Sequence, residues 1–389
     1  MFTLLLALIY ICFISLGLPD SLLGSAWPIL HQDIGVPVSY AGIVSMIITL
    51  GTVLSSLMSD RLVRRLGTAY ITALSIGLTA ISLFGFSLSS AYWMLLLWAI
   101  PYGLGAGAVD AVLNNYVALH YKAQHMSWLH CFWGVGASIS PYIMSFALLR
   151  LDSWNKGYLI VAIIQIILSV IVFLNIPLWK KCADNDYEIG DRKQTKSPSI
   201  KEIITMNGAL TCLFSFFSYC GLELTTSLWA SSYLVQTKGI NEEIASAFAS
   251  FFFLGITVGR GIGGFLAMKI NDTKLIRLGI CIVALGIILI MIPTSSVLYL
   301  IGFVIIGLGC APIYPCIIHM TPMIFGKEVS QSMIGFQMAF AYIGFCILPP
   351  LFGFIAEWTT ISILPWYLFA LLAITEIMHE TTVKKTKIM

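Results

Sequence analysis

Long apolar blocks follow one another from end to end of this chain, and nothing else in the sequence constrains its fold as tightly. A helix crossing the hydrocarbon core of a bilayer needs about 20 predominantly apolar residues. Residues 3–29, 39–58, 68–88, 92–119, 126–149 and 155–178 each supply such a stretch, and residues 203–236, 241–265, 275–292, 297–318, 330–356 and 360–378 supply six more. Composition agrees: of 389 residues, 59% are hydrophobic and 10% charged, against about 45–50% and about 25% in a soluble domain. A soluble protein of this length could not hide so much apolar surface in one core. The expected fold is an all-α membrane protein with twelve transmembrane helices, here spans 1 to 12. The first block lacks a basic leader and is interrupted by Pro19 and Asp20, so it reads as a retained helix and not as a secretory signal.

Charge orients the spans. With the N-terminus inside, seventeen Lys and Arg fall in inward loops and the C-terminal tail, while Arg150, Lys156 and Lys238 alone fall in outward loops. Arg260 lies within span 8. By the positive-inside rule both termini are cytoplasmic, as in a multi-pass protein of the cell membrane.

The one long polar stretch sits near the middle of the chain. It divides an N-terminal bundle (1–179) from a C-terminal bundle (203–389), with 180–202 as a cytoplasmic linker. A single offset of 204 residues brings the halves into register. Gly17 falls on Gly221, Gly51 on Gly255, and Gly103-Leu104-Gly105 on Gly307-Leu308-Gly309. A constant offset across three pairs of spans implies two pseudo-symmetric six-helix bundles, a plan that places a substrate site near the membrane midplane.

Polar residues inside the spans nominate function, because a carboxylate at the bilayer centre costs about 2.5–3.5 kcal/mol on insertion scales. Asp20 shares a face of span 1 with Gly17, Gly24 and Trp27. Pro19 beside it frees a backbone carbonyl that a partner must satisfy. Asp110 shares a face of span 4 with Gly103, Gly107 and Asn114, and an acid with an amide one turn on suits a ligand whose hydroxyls both donate and accept. Glu223 lies on span 7 with Tyr219 and Thr226. His130 opens a small-residue face of span 5 and is able to shuttle a proton or bind a ligand. Gln337 and Tyr314 are weaker candidates on spans 11 and 10. Arg260, among Gly259, Gly261, Gly263 and Gly264, is expected to pair at the cytoplasmic side as gate or scaffold. Trp93, Trp154, Trp179 and Trp358, at span ends, read as an interfacial belt. The nine cysteines form no CxxC pair, so neither a metal site nor a disulfide scaffold is expected. The glycine run 259–264 lacks a preceding strand and a following Lys-Ser/Thr, which argues against a nucleotide loop. No cofactor, enzymatic activity or nucleic-acid partner is expected.

Several segments resemble a known family. Ser56-Leu-Met-Ser-Asp60-Arg61-Leu-Val-Arg64-Arg65, between spans 2 and 3, resembles the cytoplasmic motif Gly-x-x-x-Asp-Arg-x-Gly-Arg-Arg of the major facilitator superfamily, with Ser56 and Val63 replacing its glycines. Leu18-Pro-Asp20, Gly103-Leu-Gly105 with Asp110 and Asn114, Leu129-His130-Cys-Phe-Trp-Gly134, and Tyr219-Cys-Gly221-Leu-Glu223 resemble its fucose/glucose–proton symporter group. The resemblance implies alternating access, with Asp20 carrying the proton and Asp110 with Asn114 contacting sugar. Glu223 is the second coupling candidate. His130, Tyr219, Gln337 and Tyr314 are further substrate contacts, and Asp60, Arg61, Arg64, Arg65 and Arg260 form a cytoplasmic gate. The expected partners are a neutral monosaccharide or polyol, a proton and the lipid bilayer, with the chain acting as a monomer. The rival expectation is proton-coupled efflux of hydrophobic or cationic compounds by the same architecture. A non-transporting sensor would need a larger cytoplasmic domain than the linker and short tail provide.

Overall fold

The computed structural model describes residues 2–37, 40–183, 198–292 and 296–387, and among them every regular element is a helix. In order these are α1 (Phe2–Asp20), α2 (Leu22–Asp33), α3 (Ala41–Leu66), α4 (Thr68–Ser87), α5 (Tyr92–His120), α6 (Ala123–Leu151), α7 (Trp154–Leu174) and α8 (Ile176–Ala183). They continue as α9 (Ile200–Thr205), α10 (Ala209–Lys238), α11 (Glu242–Leu266), α12 (Asp272–Met291), α13 (Ser296–Cys310), α14 (Ile313–Phe325), α15 (Ser330–Trp358) and α16 (Leu364–Thr386). Span 1 is α1 with α2, span 10 is α13 with α14, and α3–α7, α10–α12, α15 and α16 supply the rest. Ten of the twelve spans are long and apolar enough to cross a bilayer unaided. In α11 the apolar stretch is shorter, Phe251–Leu266. Along α10, Ser215, Ser218, Tyr219, Thr225 and Thr226 dilute the apolar character. Its 30 residues still reach about 45 Å at 1.5 Å per residue. Most of the expected linker, residues 184–197 with Arg192 and Lys193, lies outside the described residues.

Packing gathers the chain into two compact units. The first holds Met1–Tyr116 and Phe132–Ser197, and the second holds Pro198–Met389 together with the turn segment Val117–Cys131. That segment joins the second unit because Trp128 covers Gly264 and donates its indole N–H to the Gly261 carbonyl at 3.3 Å.

The repeat appears as matching close approaches inside each unit. Gly51 on α3 meets Gly103 on α5, and Gly255 on α11 meets Gly307 on α13. A Cβ at Gly103 would overlap the Ile48 carbonyl, and one at Gly307 would overlap the Phe252 carbonyl. Gly105 likewise abuts α4 as Gly309 abuts α12. Small residues let helices approach closely where lipid offers no hydrophobic drive to pack them. The offset of 204 therefore marks equivalent helix crossings, and the molecule is two pseudo-symmetric six-helix bundles.

Three expectations need correction. The Asp60–Arg65 motif is not in a loop: α3 runs on to Leu66 and stops at Gly67, whose φ of +84° an L side chain rarely adopts. Arg64 and Arg65 thus sit in a last helical turn, where basic residues favour the carbonyl end of the helix dipole. Only two of the four expected belt tryptophans, Trp93 and Trp358, are exposed. Trp154 is buried and donates to Asp33 Oδ2 at 2.9 Å, and Trp179 is buried against Tyr116 with ring centroids 4.9 Å apart. Span 10 is not continuous but breaks at Ala311–Pro312, between α13 and α14.

Candidate functional site

In the first unit the site grows from the break in span 1. Pro19 has no N–H to donate four residues back, so the Ser15 carbonyl is left open. Gln165 on α7 closes it: its amide donates to Ser15 O, while its own Oε1 accepts from Ser15 Oγ at 2.5 Å. The helix ends at Asp20 and restarts at Leu22, with Ser21 Oγ donating to the Ala137 carbonyl on α6 at 2.7 Å. Asp20 is left exposed at the break. Its Oδ2 accepts from Trp133 Nε1 at 2.8 Å and its Oδ1 from Tyr102 Oη at 3.3 Å. Among the described residues no basic side chain pairs with it. The carboxylate faces a cavity of about 250 Å³ lined by spans 1, 2, 3, 4 and 6, to which Ser45, Thr49, Phe86, Tyr102 and Tyr158 contribute.

Asp110 and Asn114 do not line that cavity. They are buried at 5% and 0% exposure and bonded to each other: Asn114 Nδ2 donates to Asp110 Oδ1 at 2.8 Å and to its carbonyl at 3.0 Å. The expected one-turn pairing is present, directed inward.

The remaining candidates belong to the second unit. Tyr219 and Glu223 meet one turn apart on α10, where the single proton of Tyr219 Oη has two acceptors in reach, Glu223 Oε2 at 2.6 Å and the Cys310 carbonyl at 2.8 Å. That carbonyl sits at the break in span 10. Arg260 Nη2 lies 3.7 Å from Glu223 Oε1, with side-chain exposures of 4% and 14%. An acid partner of Arg260 is thus Glu223, part-buried in the same bundle. His130 packs edge-on against Tyr314 at 4.8 Å, and Tyr314 packs in turn on Phe216 at 4.6 Å. Gln337 is fully buried, accepting from Thr321 Oγ1 at 2.9 Å and donating to Cys212 Sγ at 3.2 Å. Of the inner motif, Asp60 accepts from Arg64 Nε at 2.9 Å, while Arg61 and Arg65 are exposed. No metal-binding cluster occurs among the described residues.

Sequence reasoning missed Tyr102, Trp133, Gln165 and Tyr158. In the sequence Trp133 stands out only as part of the segment Leu129–Gly134. The helix turns so that Trp133 reaches Asp20 in the first unit while His130 packs in the second.

Comparison with known proteins identifies the fold and the family. "Bypass of stop codon protein 6" of Saccharomyces cerevisiae is 26% identical, over 96% of this chain and 82% of its own length. The glucose/mannose transporter GlcP of Bacillus subtilis is 24% identical, over 81% of this chain and 78% of its own. A crystal structure of the E. coli fucose:proton symporter FucP superposes with a TM-score of 0.75 at 15% identity, covering 96% of this chain and 98% of that one. The profile of the Major Facilitator Superfamily matches residues 9–249 and 211–378, and with twelve spans in two like bundles this multi-pass membrane transporter belongs to the major facilitator superfamily.

Proposed function

We infer that the chain is a proton-coupled symporter of a neutral monosaccharide or related polyol, working by alternating access in the cell membrane. The observation that carries the reading is Asp20. It is an exposed carboxylate at a helix break, at a cavity, held by two uncharged donors and, among the described residues, no cation. Such a group is able to take up and release a proton as its surroundings change between enclosed and watered, because burial disfavours the charged form. Glu223 differs, since Arg260 already supplies beside it the positive charge a proton would bring. Coupling is accordingly assigned to Asp20, and Glu223 to a charge pair that braces spans 7 and 8. Asp110 with Asn114 stays in the reading as a hydroxyl-binding pair whose mutual bond a ligand hydroxyl would replace. The sugar class draws on the relatives named for glucose, mannose and fucose.

The efflux reading has one observation in its favour, the largely apolar wall of the Asp20 cavity. Purified protein in proteoliposomes separates the two. A panel of labelled monosaccharides and labelled organic cations is presented with and without an imposed pH gradient. Sugar accumulating with the inward proton gradient supports symport. Cations moving against it, with sugars inert, support efflux.

A further inference from the structure

We propose that His319 and Asp272 hold a proton of their own, apart from Asp20, and that this proton clasps the turn between spans 4 and 5 onto the second unit. The clasp is independent of which substrate the chain carries. The turn, Val117–Cys131, continues spans whose other residues belong to the first unit, yet it packs in the second. His319, on α14, reaches two partners there. Its Nδ1 lies 2.7 Å from Asp272 Oδ2 on α12, and its Nε2 lies 3.3 Å from the Tyr121 carbonyl on the turn.

Both partners accept hydrogen bonds, and a neutral imidazole has a single N–H to give. Making both bonds therefore takes one more proton in the pair, whether it sits on the ring or on the carboxyl. When that proton leaves, the remaining N–H stays with the carboxylate, the stronger acceptor, and a ring lone pair faces the Tyr121 carbonyl. Burial favours the protonated pair: Asp272 is 8% exposed with His319 as its ion-pair partner, and a buried charge needs a paired one. The Cys316 thiol, one turn before His319, also lies against Asp272. The turn further carries His120, Lys122 and His125, α12 carries Lys274, and Lys327 and Glu328 follow α14. Neither these groups nor any on α10, α13 and α15, the other helices packed on α14, add a hydrogen bond or ion pair to His319 among the described residues.

The turn's other holds carry no charge. Trp128 donates to the Gly261 carbonyl at 3.3 Å and meets the Phe265 ring at 5.4 Å, and Cys131 Sγ donates to the Thr257 carbonyl at 3.6 Å. His319 is thus the group through which pH acts on this segment. A movement of one unit against the other has to release it, so the clasp brakes alternating access and tightens as its side of the membrane acidifies. On the orientation read from charge, that side is the cytoplasm.

A cysteine at position 127 reports the clasp. Ser127 is 1% exposed, and a Cβ at Gly263 on α11 would stand 3.9 Å from its Oγ, so lifting the turn uncovers it. Ser127→Cys protein in detergent is alkylated between about pH 5 and about pH 9, a range that brackets ordinary histidine titration. Peptide mass spectrometry reads labelling at position 127, and thermal unfolding checks each variant's fold. Dividing each rate by that of the same cysteine in urea-unfolded protein removes the thiol's own titration. Protection should be high at the acid end and fall about tenfold as pH rises, the scale of one hydrogen bond. His319→Gln should abolish this step. Asp272→Asn should hold protection high throughout, because its amide can donate to Nδ1 and leave Nε2–H for Tyr121 without an added proton. His120→Gln and His125→Gln should keep the step, which a merely structural His319 would not produce. Wild-type protection that is flat across the range overturns the proposal, and so does a step that survives in folded His319→Gln or Asp272→Asn.

Discussion

Gln165→Leu tests how the break that presents Asp20 is held. Two hydrogen bonds vanish, but only one group is stranded. The Ser15 hydroxyl can turn back to the carbonyl four residues earlier on its own helix. The Ser15 carbonyl has no such recourse, because position 19 is proline and carries no N–H, and Gln165 is its donor from 150 residues away. Leaving a buried acceptor unsatisfied costs about 1–3 kcal/mol, and hydrogen bonds between membrane helices run toward the low end, with a mean near 0.6 kcal/mol. We expect Gln165→Leu to destabilise by about 1–2 kcal/mol. Pro19→Ala returns an N–H to that same carbonyl, so in the Gln165→Leu background it should recover most of the loss. Unfolding in mixed micelles across the four variants measures the coupling as a double-mutant cycle. A cost for Gln165→Leu that is the same with Pro19 or Ala at position 19 would refute the reasoning.

Other outcomes follow from the same geometry. Cysteine at Lys238, in a background without native cysteines, should react with an impermeant thiol reagent from outside the cell; labelling only after permeabilisation would reverse the orientation read from charge. Gly103→Val and Gly307→Val should destabilise to a similar degree, about 2–3 kcal/mol each, since both drive a side chain into a neighbouring carbonyl; thermal unfolding that spares one of them would break the equivalence of the two bundles. Glu223→Gln should cost about 3 kcal/mol by leaving Arg260 buried beside a neutral group. The double change Glu223→Leu with Arg260→Met should restore most of that in the same unfolding assay.

Local spacing made part of this legible. Tyr219 with Glu223 and Asp110 with Asn114 are neighbours one turn apart, and helix periodicity alone brings each pair together. The span-1 break could be read from Pro19, and the helix crossings from glycines repeating at a fixed offset. Partners far apart in the chain could not be read. Gln165 meets Ser15, Tyr102 meets Asp20 and Arg260 meets Glu223 only because particular spans pack in a particular rotation, and a pattern of apolar residues leaves that rotation open. Trp154 and Trp179 misled for the same reason. Their place at helix ends matches an aromatic belt, yet Asp33 and Tyr116 draw them inside. Charge misled at Arg61–Arg65, where a polar run that resembles a loop is a helix terminus stopped by Gly67.

The central claim is that Asp20 couples the proton to the substrate, and Asp20→Asn tests it most directly. Asparagine mimics the protonated carboxyl permanently: its carbonyl oxygen can still accept from Trp133 Nε1, and its amide N–H can donate to the Tyr102 hydroxyl, which accepts as well as donates. A carrier loaded with both partners can change access without releasing the proton, whereas the empty return requires it to leave. Labelled-sugar exchange and accumulation driven by a pH gradient are to be measured side by side in proteoliposomes of the variant. The account predicts that exchange persists at near wild-type affinity and that gradient-driven accumulation disappears. Accumulation that survives in Asp20→Asn would contradict it and move the coupling role to Glu223.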